Sequence, residues 1–294
     1  MKPPTEFPHL NWLAREYAIN AEALVEIFLI EQTFHSTILA TTCADDRKRQ
    51  YHNLYTEVHR IKRAGATAEP QEGTAETHAR MVRTFRGEME GKSVLDVGCG
   101  TGQFLNELAR LIPHGKLCGL DTSDVHLPQD YARIEFLRKD VIDFEVEHPF
   151  DVVYSHQVLE HIAPDDLPAH LRSVRSALNP GGKFILILPN RYWGPQDITR
   201  IIDNTFTGRV QAMGSHLNES SYSELLPILE AHGFENIKTT LPFAAYVPAL
   251  RSVRVRPWVN RIFERNRPIR SLVNTLRLGG RPVFKNPIIL ICDR

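Results

Sequence analysis

The segment that most constrains this chain is Val94-Leu95-Asp96-Val97-Gly98-Cys99-Gly100-Thr101-Gly102. An apolar run breaks into glycines at alternate positions and then enters the helical pattern Phe104, Leu105, Leu108, Leu111, Ile112. That is the signature of a buried strand, a tight turn and an amphipathic helix. Pro113 and Gly115 stop the helix, and strands are predicted at Lys116 to Leu120, Ile134 to Leu137, Phe150 to Ser155 and Lys183 to Leu188. Leu167, Leu171, Val174 and Leu178 step at helical spacing before the turn Asn179-Pro180-Gly181-Gly182. Ser221 to Glu224 has the capping-box pattern ahead of Leu225, Leu226 and Leu229, with Gly233 as stop and Pro227 as a local conflict. Asn236 to Thr240 and Pro287 to Cys292 are the last predicted strands. Strands alternating with helices predict an α/β fold, a mostly parallel sheet with helices on both faces.

The glycine loop by itself says only that backbone comes close to a ligand at a strand-to-helix turn. Its context says more. Asp121 closes the second strand, where nucleotide-binding sheets place a carboxylate against ribose hydroxyls. Asp140 follows the third strand, where a carboxylate can accept from an adenine amino group. Taken singly, each acid is an ordinary solvated strand end; three acids at successive strand ends beside one glycine loop form a nucleotide site. A nicotinamide dehydrogenase is the rival, but its fingerprint is G-x-G-x-x-G, whereas this loop reads G-x-G-x-G behind Asp96. A dehydrogenase seats a pyrophosphate at the helix N-terminus, and the acid at Asp96 suits a cationic group better.

From Ser93 to Asn190 the chain resembles the core of the class I S-adenosylmethionine-dependent methyltransferases. Val94 to Gly102 is similar to their first motif, Asp121 to their ribose acid, and Asp140 with Val141 to their adenine-contacting pair. Val158-Leu159-Glu160-His161-Ile162 resembles the fourth-strand motif of the ubiquinone-methyltransferase-like branch, and Leu178 to Pro189 its fifth strand. The resemblance implies a Rossmann-like seven-stranded sheet, its last strand inserted antiparallel, with S-adenosylmethionine across the carboxyl ends of strands one, two and four. It implies cofactor contacts from Asp96, Gly98, Cys99, Gly100, Gly102, Asp121, Thr122, Asp140, Val141, Ser155 and His156, with S-adenosylhomocysteine as product. A methyltransferase domain over 76–294 is expected, with acceptor-side insertions at about 191–220 and 243–285. An N-terminal helical extension over 1–75 precedes it and serves as lid, acceptor wall or homodimer surface.

Methyl transfer is displacement at an activated carbon, so a base matters only where the acceptor must lose a proton. His161 is the first candidate base, since imidazole titrates near neutrality, or else it packs its helical turn. His216, in Gly214-Ser215-His216-Leu217-Asn218, is the second. Asn190, Arg191, Tyr192 and Trp193 follow the fifth strand and are expected as acceptor contacts or as surface loop. Glu160 orients a histidine or is solvated. No His, Asp or Glu group has metal-ligand spacing, so no metal is expected. The expected acceptor is a small molecule, natural product or glycan methylated on oxygen or nitrogen. RNA or protein acceptors and an inactive cofactor-binding partner protein are the alternatives.

Formal charge sums to zero, but Leu241 to Arg294 carries eleven Lys or Arg residues against Glu264 and Asp293. Arg251, Arg254, Arg256, Arg261 and Arg265 are interleaved with Val253, Trp258, Val259, Ile262 and Phe263. This is a face that neutralises an acidic body, a site for an anionic acceptor, or a contact with an anionic membrane; no nucleic-acid motif accompanies it. Tyr51, His52, Tyr55 and His59 sit at spacings that can share one helical face, first read as packing. Four cysteines without paired spacing and no signal-like N-terminus predict a reduced, cytoplasmic protein. The greasy stretch Ala23 to Ile30, broken by Glu26, is read as too short to span a bilayer.

Overall fold

A computed structural model describes residues 7–67, 74–122, 134–241, 247–275, 277–278, 281–282 and 287–294. Three helices come first: α1 (Leu10–Glu16), α2 (Ala21–Ala40) and α3 (Ala44–Gly65). The sheet region follows as α4 (Thr74–Thr84), α5 (Arg86–Met89), β1 (Val94–Val97), α6 (Gln103–Leu111), β2 (Leu117–Asp121), β3 (Ile134–Arg138), β4 (Phe150–His156), α7 (Leu167–Ser176) and β5 (Leu178–Leu188). Then come α8 (Tyr222–Ala231), β6 (Glu235–Thr240), β7 (Arg254–Val255), α9 (Trp258–Arg265), α10 (Arg267–Thr275), the small hairpin β8 (Arg277–Leu278) and β9 (Arg281–Pro282), and β10 (Ile288–Asp293).

The main sheet runs β3-β2-β1-β4-β5-β10-β6-β7, and β10 lies antiparallel between β5 and β6. The order reverses between β1 and β4, which opens a crevice at their carboxyl ends. The expected seven strands become eight because the two-residue β7, from the basic insertion, pairs with the outer edge of β6. The fifth strand begins at Leu178 rather than Lys183, and a register shift beside Phe150 and Val152 absorbs the Asn-Pro-Gly-Gly turn. Side chains of β1 alternate between the faces. Leu95 and Val97 join Leu171, Val174, Leu225 and Leu229 on the α7 and α8 side. Val94 joins Phe85, Leu105, Leu108 and Tyr154 on the α4 and α6 side. The Ser221–Glu224 capping box forms and α8 carries Pro227 inside it.

A third hydrophobic core belongs to neither face. Leu13, Leu24, Ile27, Phe28, Leu54 and Val58 of α1 to α3 pack with Ile198, Ile201 and Leu217. The N-terminal helices and the 191–220 insertion are therefore one cap. Charges fasten it to the sheet region: Arg47 on α3 pairs with Asp166, both buried, with Arg47 Nε donating to Asp166 Oδ2 at 2.8 Å. Lys48 Nζ lies 3.9 Å from Asp140 and from Asp143. Tyr51 Oη donates to Asp166 and accepts from the Ala163 amide at 2.8 Å. Within the cap, Arg200 pairs with Glu16 at 2.7 Å. Among the described residues α2 is the one helix long and apolar enough to cross a membrane, which corrects the reading based on eight of its residues. Here its Leu24, Ile27, Phe28 and Ile38 are buried in the cap.

Residues of α9 reverse the usual arrangement. Asn260 and Glu264 are buried, while Trp258 and Ile262 are exposed beside Arg261 and Arg265 along an open groove. Of the cysteines, Cys118 and Cys292 are buried, Cys99 is half-buried, Cys43 is exposed, and none is disulfide-bonded.

Candidate functional site

At the mouth of β1, Gly98, Gly100 and Gly102 have φ of 76°, 50° and 73°, which L side chains rarely adopt. A Cβ on Gly98 would also stand 2.4 Å from Val158 Cγ2. The Gly98 and Cys99 amides donate to the Leu120 carbonyl at 2.7 and 3.1 Å, holding the loop on the end of β2. The Gly100 amide donates to Asp121 Oδ2 at 2.9 Å, and space above Gly100 is open. Thr122 follows, exposed. The glycine loop and Asp121 are thus one hydrogen-bonded unit.

Asp96 is buried on the opposite sheet face from Leu95 and Val97. Burial, with the nearby Asp121 charge, pushes its carboxyl up to about 8. A carboxyl in that state ionises readily only when a cation arrives beside it. Next to it on β4, the buried Tyr154 hydroxyl and Ser155 Oγ have no hydrogen-bond partner. Burial, with His78 nearby, lowers His156 to about 4. Asp140 Oδ1 accepts from the Ile142 amide at 2.8 Å, closing the turn after β3, and the Val141 carbonyl accepts from His170 Nδ1 at 2.7 Å. The glycines, Asp96, Asp121 and the unpartnered hydroxyls fit a ligand with a cationic end and a ribose.

A separate cavity of about 360 Å³ lies between the cap helices and the segments after β4 and β5; Glu31, Gln157, His161, Asp197, Ser215 and His216 are among its walls. Glu31 accepts from the Ser215 amide at 2.7 Å, and Asp197 from the amides of Gly214 and Thr199 at 2.8 and 2.9 Å. Burial, with Asp197 adding, raises Glu31 to about 7. Glu31, Lys62, Tyr17, Gln157 and Asp197 were missed in the sequence. Glu31 leaves one trace, an acid inside the apolar run Ile27 to Phe34.

The two predicted histidines do meet. Their rings sit edge to face with centroids 4.7 Å apart, and Tyr55 of α3 packs against His161 at 6.2 Å. His161 Nδ1 donates to the Ser215 carbonyl at 3.0 Å, and His216 Nδ1 to Glu219 Oε1 at 2.7 Å. Burial, then the charge of His216, lowers His161 to about 3. Burial alone would lower His216, but the Glu219 hydrogen bond with Asp197 and Glu160 lifts it to about 9. Glu160 is fully buried with neither carboxylate oxygen hydrogen-bonded, and burial raises it to about 7. Ligand-type atoms of Glu160, His161 and His216 lie within 4.8 Å of one another, which corrects the expectation of no such cluster. Spacing hid it because His216 arrives from the insertion, whose Leu217 and Asn218 amides donate to the Glu160 carbonyl at 2.7 and 2.9 Å.

The residues expected as acceptor contacts after β5 have partners within the fold. Asn190 Nδ2 donates to buried Glu264 at 2.7 Å, Arg191 pairs with Glu224, and the Arg270 guanidinium lies 4.6 Å from the Tyr192 ring centroid. Trp193 is buried. The cavity wall begins three residues later, at Gln196.

Residues 60–239, more than half of the chain, match the family model described as "Methyltransferase domain". The chain belongs to the class I S-adenosylmethionine-dependent methyltransferase family. Carboxy-S-adenosyl-L-methionine synthase of Wolinella succinogenes is 28% identical over 53% of this methyltransferase and 64% of its own length. Ubiquinone biosynthesis O-methyltransferase of Xanthomonas euvesicatoria is 33% identical over 35% of this chain and 46% of its own length. The chain thus spans about half to two thirds of the length of these curated relatives. A solved SAM-dependent methyltransferase from Archaeoglobus fulgidus is 18% identical with a TM-score of 0.48, covering 83% of this methyltransferase and all of that chain.

Proposed function

We propose that this methyltransferase moves the methyl group of S-adenosylmethionine to an oxygen or nitrogen of a small, neutral polar acceptor bound in the cap cavity. The observation that carries this reading is the segment Gln157 to His161. Val158 stands against Gly98 of the cofactor loop, while Gln157 and His161 line the cavity. One short turn therefore separates the nucleotide side from the acceptor side.

The cofactor supplies an activated methyl carbon. Asp96 ionises against its cationic amino-acid end, Asp121 accepts from the ribose, and Gly98 to Gly102 let the backbone close on it. Asp140 and Val141 flank the base, and Ser155 and His156 lie beneath. The cap excludes water and fixes the acceptor in line, which is where most of the rate gain in such a displacement arises. His161 lines the cavity with Nδ1 tied to the Ser215 carbonyl, and its depressed basicity makes it a positioning group rather than a strong base.

The cavity sets Glu31 and Asp197 against Lys62 and His216, and among the described residues its walls include none of the basic insertion. That mixed lining favours a neutral acceptor over the anionic one suggested by the arginine excess. We assign the exposed Trp258, Ile262, Arg261 and Arg265 of α9 to peripheral contact outside the site.

Calorimetry with S-adenosylhomocysteine and with NAD tests the reading. The wild type should bind the former, and Asp121→Ala should weaken binding by about 1.5–3 kcal/mol through lost charge-assisted bonds. Preferential NAD binding, or no effect of Asp121→Ala, would contradict it.

A further inference from the structure

We infer that Glu160, His161 and His216 form a site for one divalent transition-metal ion at the wall of the cap cavity. Their ligand-type atoms lie within 4.8 Å of one another. The first argument is Glu160: its side chain is fully buried and neither oxygen has a hydrogen-bond partner. A buried carboxylate without partners is costly, and coordination of a cation removes that cost.

The histidines supply the second argument. Each uses Nδ1 as a donor, His161 to the Ser215 carbonyl at 3.0 Å and His216 to Glu219 at 2.7 Å. Fixing Nδ1–H on a carbonyl or carboxylate is what orients metal-binding imidazoles; it leaves Nε2 of His161 for an ion, and Nε2 of His216 once the ion displaces its proton. Glu219 is itself held by the Gln196 amide at 2.8 Å, so the outer support is firm.

Neighbouring ligands around a four-coordinate ion with bonds of about 2.0–2.1 Å stand roughly 3.3 Å apart. The cluster must therefore tighten, and the carboxylate of Glu160, held by no hydrogen bond, is the group able to swing. Two imidazoles and one carboxylate select a borderline ion such as Zn²⁺, Fe²⁺ or Co²⁺ over Mg²⁺ or Ca²⁺. Three protein ligands leave coordination positions open, and His161 and His216 both line the cavity, so those positions face the acceptor.

The role of the ion rests on the methyl-transfer reading; its binding does not. An acceptor hydroxyl on the ion loses its proton to water. The freed oxygen pair then forms the new O–C bond, the C–S bond breaks, and its electrons stay on the sulfur as thioether. The ion is unchanged.

Zn²⁺ titration of chelator-treated full-length protein, with Co²⁺ as spectroscopic probe, tests the site. The wild type should bind one ion, with visible Co²⁺ bands of nitrogen and oxygen coordination. Glu160→Gln and His216→Gln should each weaken binding about 100-fold or more, and Glu219→Gln about 10- to 100-fold. S-adenosylhomocysteine affinity, measured on the same samples, should be unaltered and reports that the variants are folded. Loss of nucleotide binding in the wild type would sink the methyl-transfer reading and leave the metal result standing. No stoichiometric ion, or equal affinity in the folded variants, overturns the site. Should the variants fail to fold, a wild-type Co²⁺ spectrum without imidazole coordination overturns it alone.

Discussion

The sheet region and the cap are held together by opposite means. Beside the sheet, the core on the α7 and α8 side is aliphatic and aromatic, with Leu95, Val153, Leu171, Leu186 and Leu290 packed together. Asp96, His170 and Glu264 are ionisable groups buried in the sheet region. In the cap and along its seam, Glu31, Arg47, Glu160, Asp166, Asp197, Thr199, Arg200 and His216 are all buried. Apolar packing is tolerant of exchange at constant volume, whereas removing one member of a buried charged pair leaves the other uncompensated. On the proposed reading, the difference assigns cofactor binding to the tolerant sheet and acceptor selection to the more exacting cap.

Arg47→Ala probes the comparison most strongly. Removing one member of the buried Arg47–Asp166 pair should cost about 3–5 kcal/mol, because Asp166 is left buried and unpaired. Hydrogen exchange should show that loss as faster opening of α1 to α3 while β1 and β4 stay protected. Arg47→Met with Asp166→Leu should recover most of it. Uniform destabilisation would mean that cap and sheet are one cooperative unit.

Leu186→Ala, in β5, should cost about 2–5 kcal/mol and lower the melting temperature of the whole sheet region, cap seam unchanged. A loss confined to the cap would invert the comparison.

Asp96 is a buried acid inside the sheet, and pH exposes it. Its folded carboxyl holds a proton up to about 8, whereas the unfolded one releases it near 3.8. Between those values the folded state binds more protons, so this contribution to stability is complete below about pH 3.8 and is lost as pH rises to 8. Asp96→Asn should remove that slope and stabilise the ligand-free protein at pH 8–9 by on the order of 1–3 kcal/mol, while weakening cofactor binding. Chemical denaturation at pH 6 and pH 9 measures it, and an unchanged slope would show that burial does not shift this carboxyl.

The same contrast explains what the sequence disclosed. Strand and helix periods, alternate glycines and strand-end acids follow from local geometry, so Val94 to Gly102, Asp121 and the order of elements were legible. The antiparallel last strand came from resemblance alone. The two-residue β7 had no periodic signal, because pairing along an edge, not hydrophobic pattern, makes it a strand. The partners that Asn190 and Tyr192 find within the fold, Glu264 and Arg270, were illegible because they lie more than seventy residues on. The cap cavity was illegible for the same reason: Glu31, Asp197 and His216 meet only after three segments close on a shared core. Of the four residues read as one face of α3, Tyr51 and Tyr55 turn inward, whereas His52 and His59 are exposed.

Hydrogen exchange with and without S-adenosylhomocysteine tests the central claim directly, that the glycine loop holds the cofactor beneath a cap bearing the acceptor cavity. Protection should rise at Gly98 to Gly102, at Gly119 to Thr122 and in the Gln157 to His161 turn. It should extend to α3 near Tyr55, and leave α9 unchanged. Saturating nucleotide with no new protection at the glycine loop, or with protection centred on α9, would contradict the account.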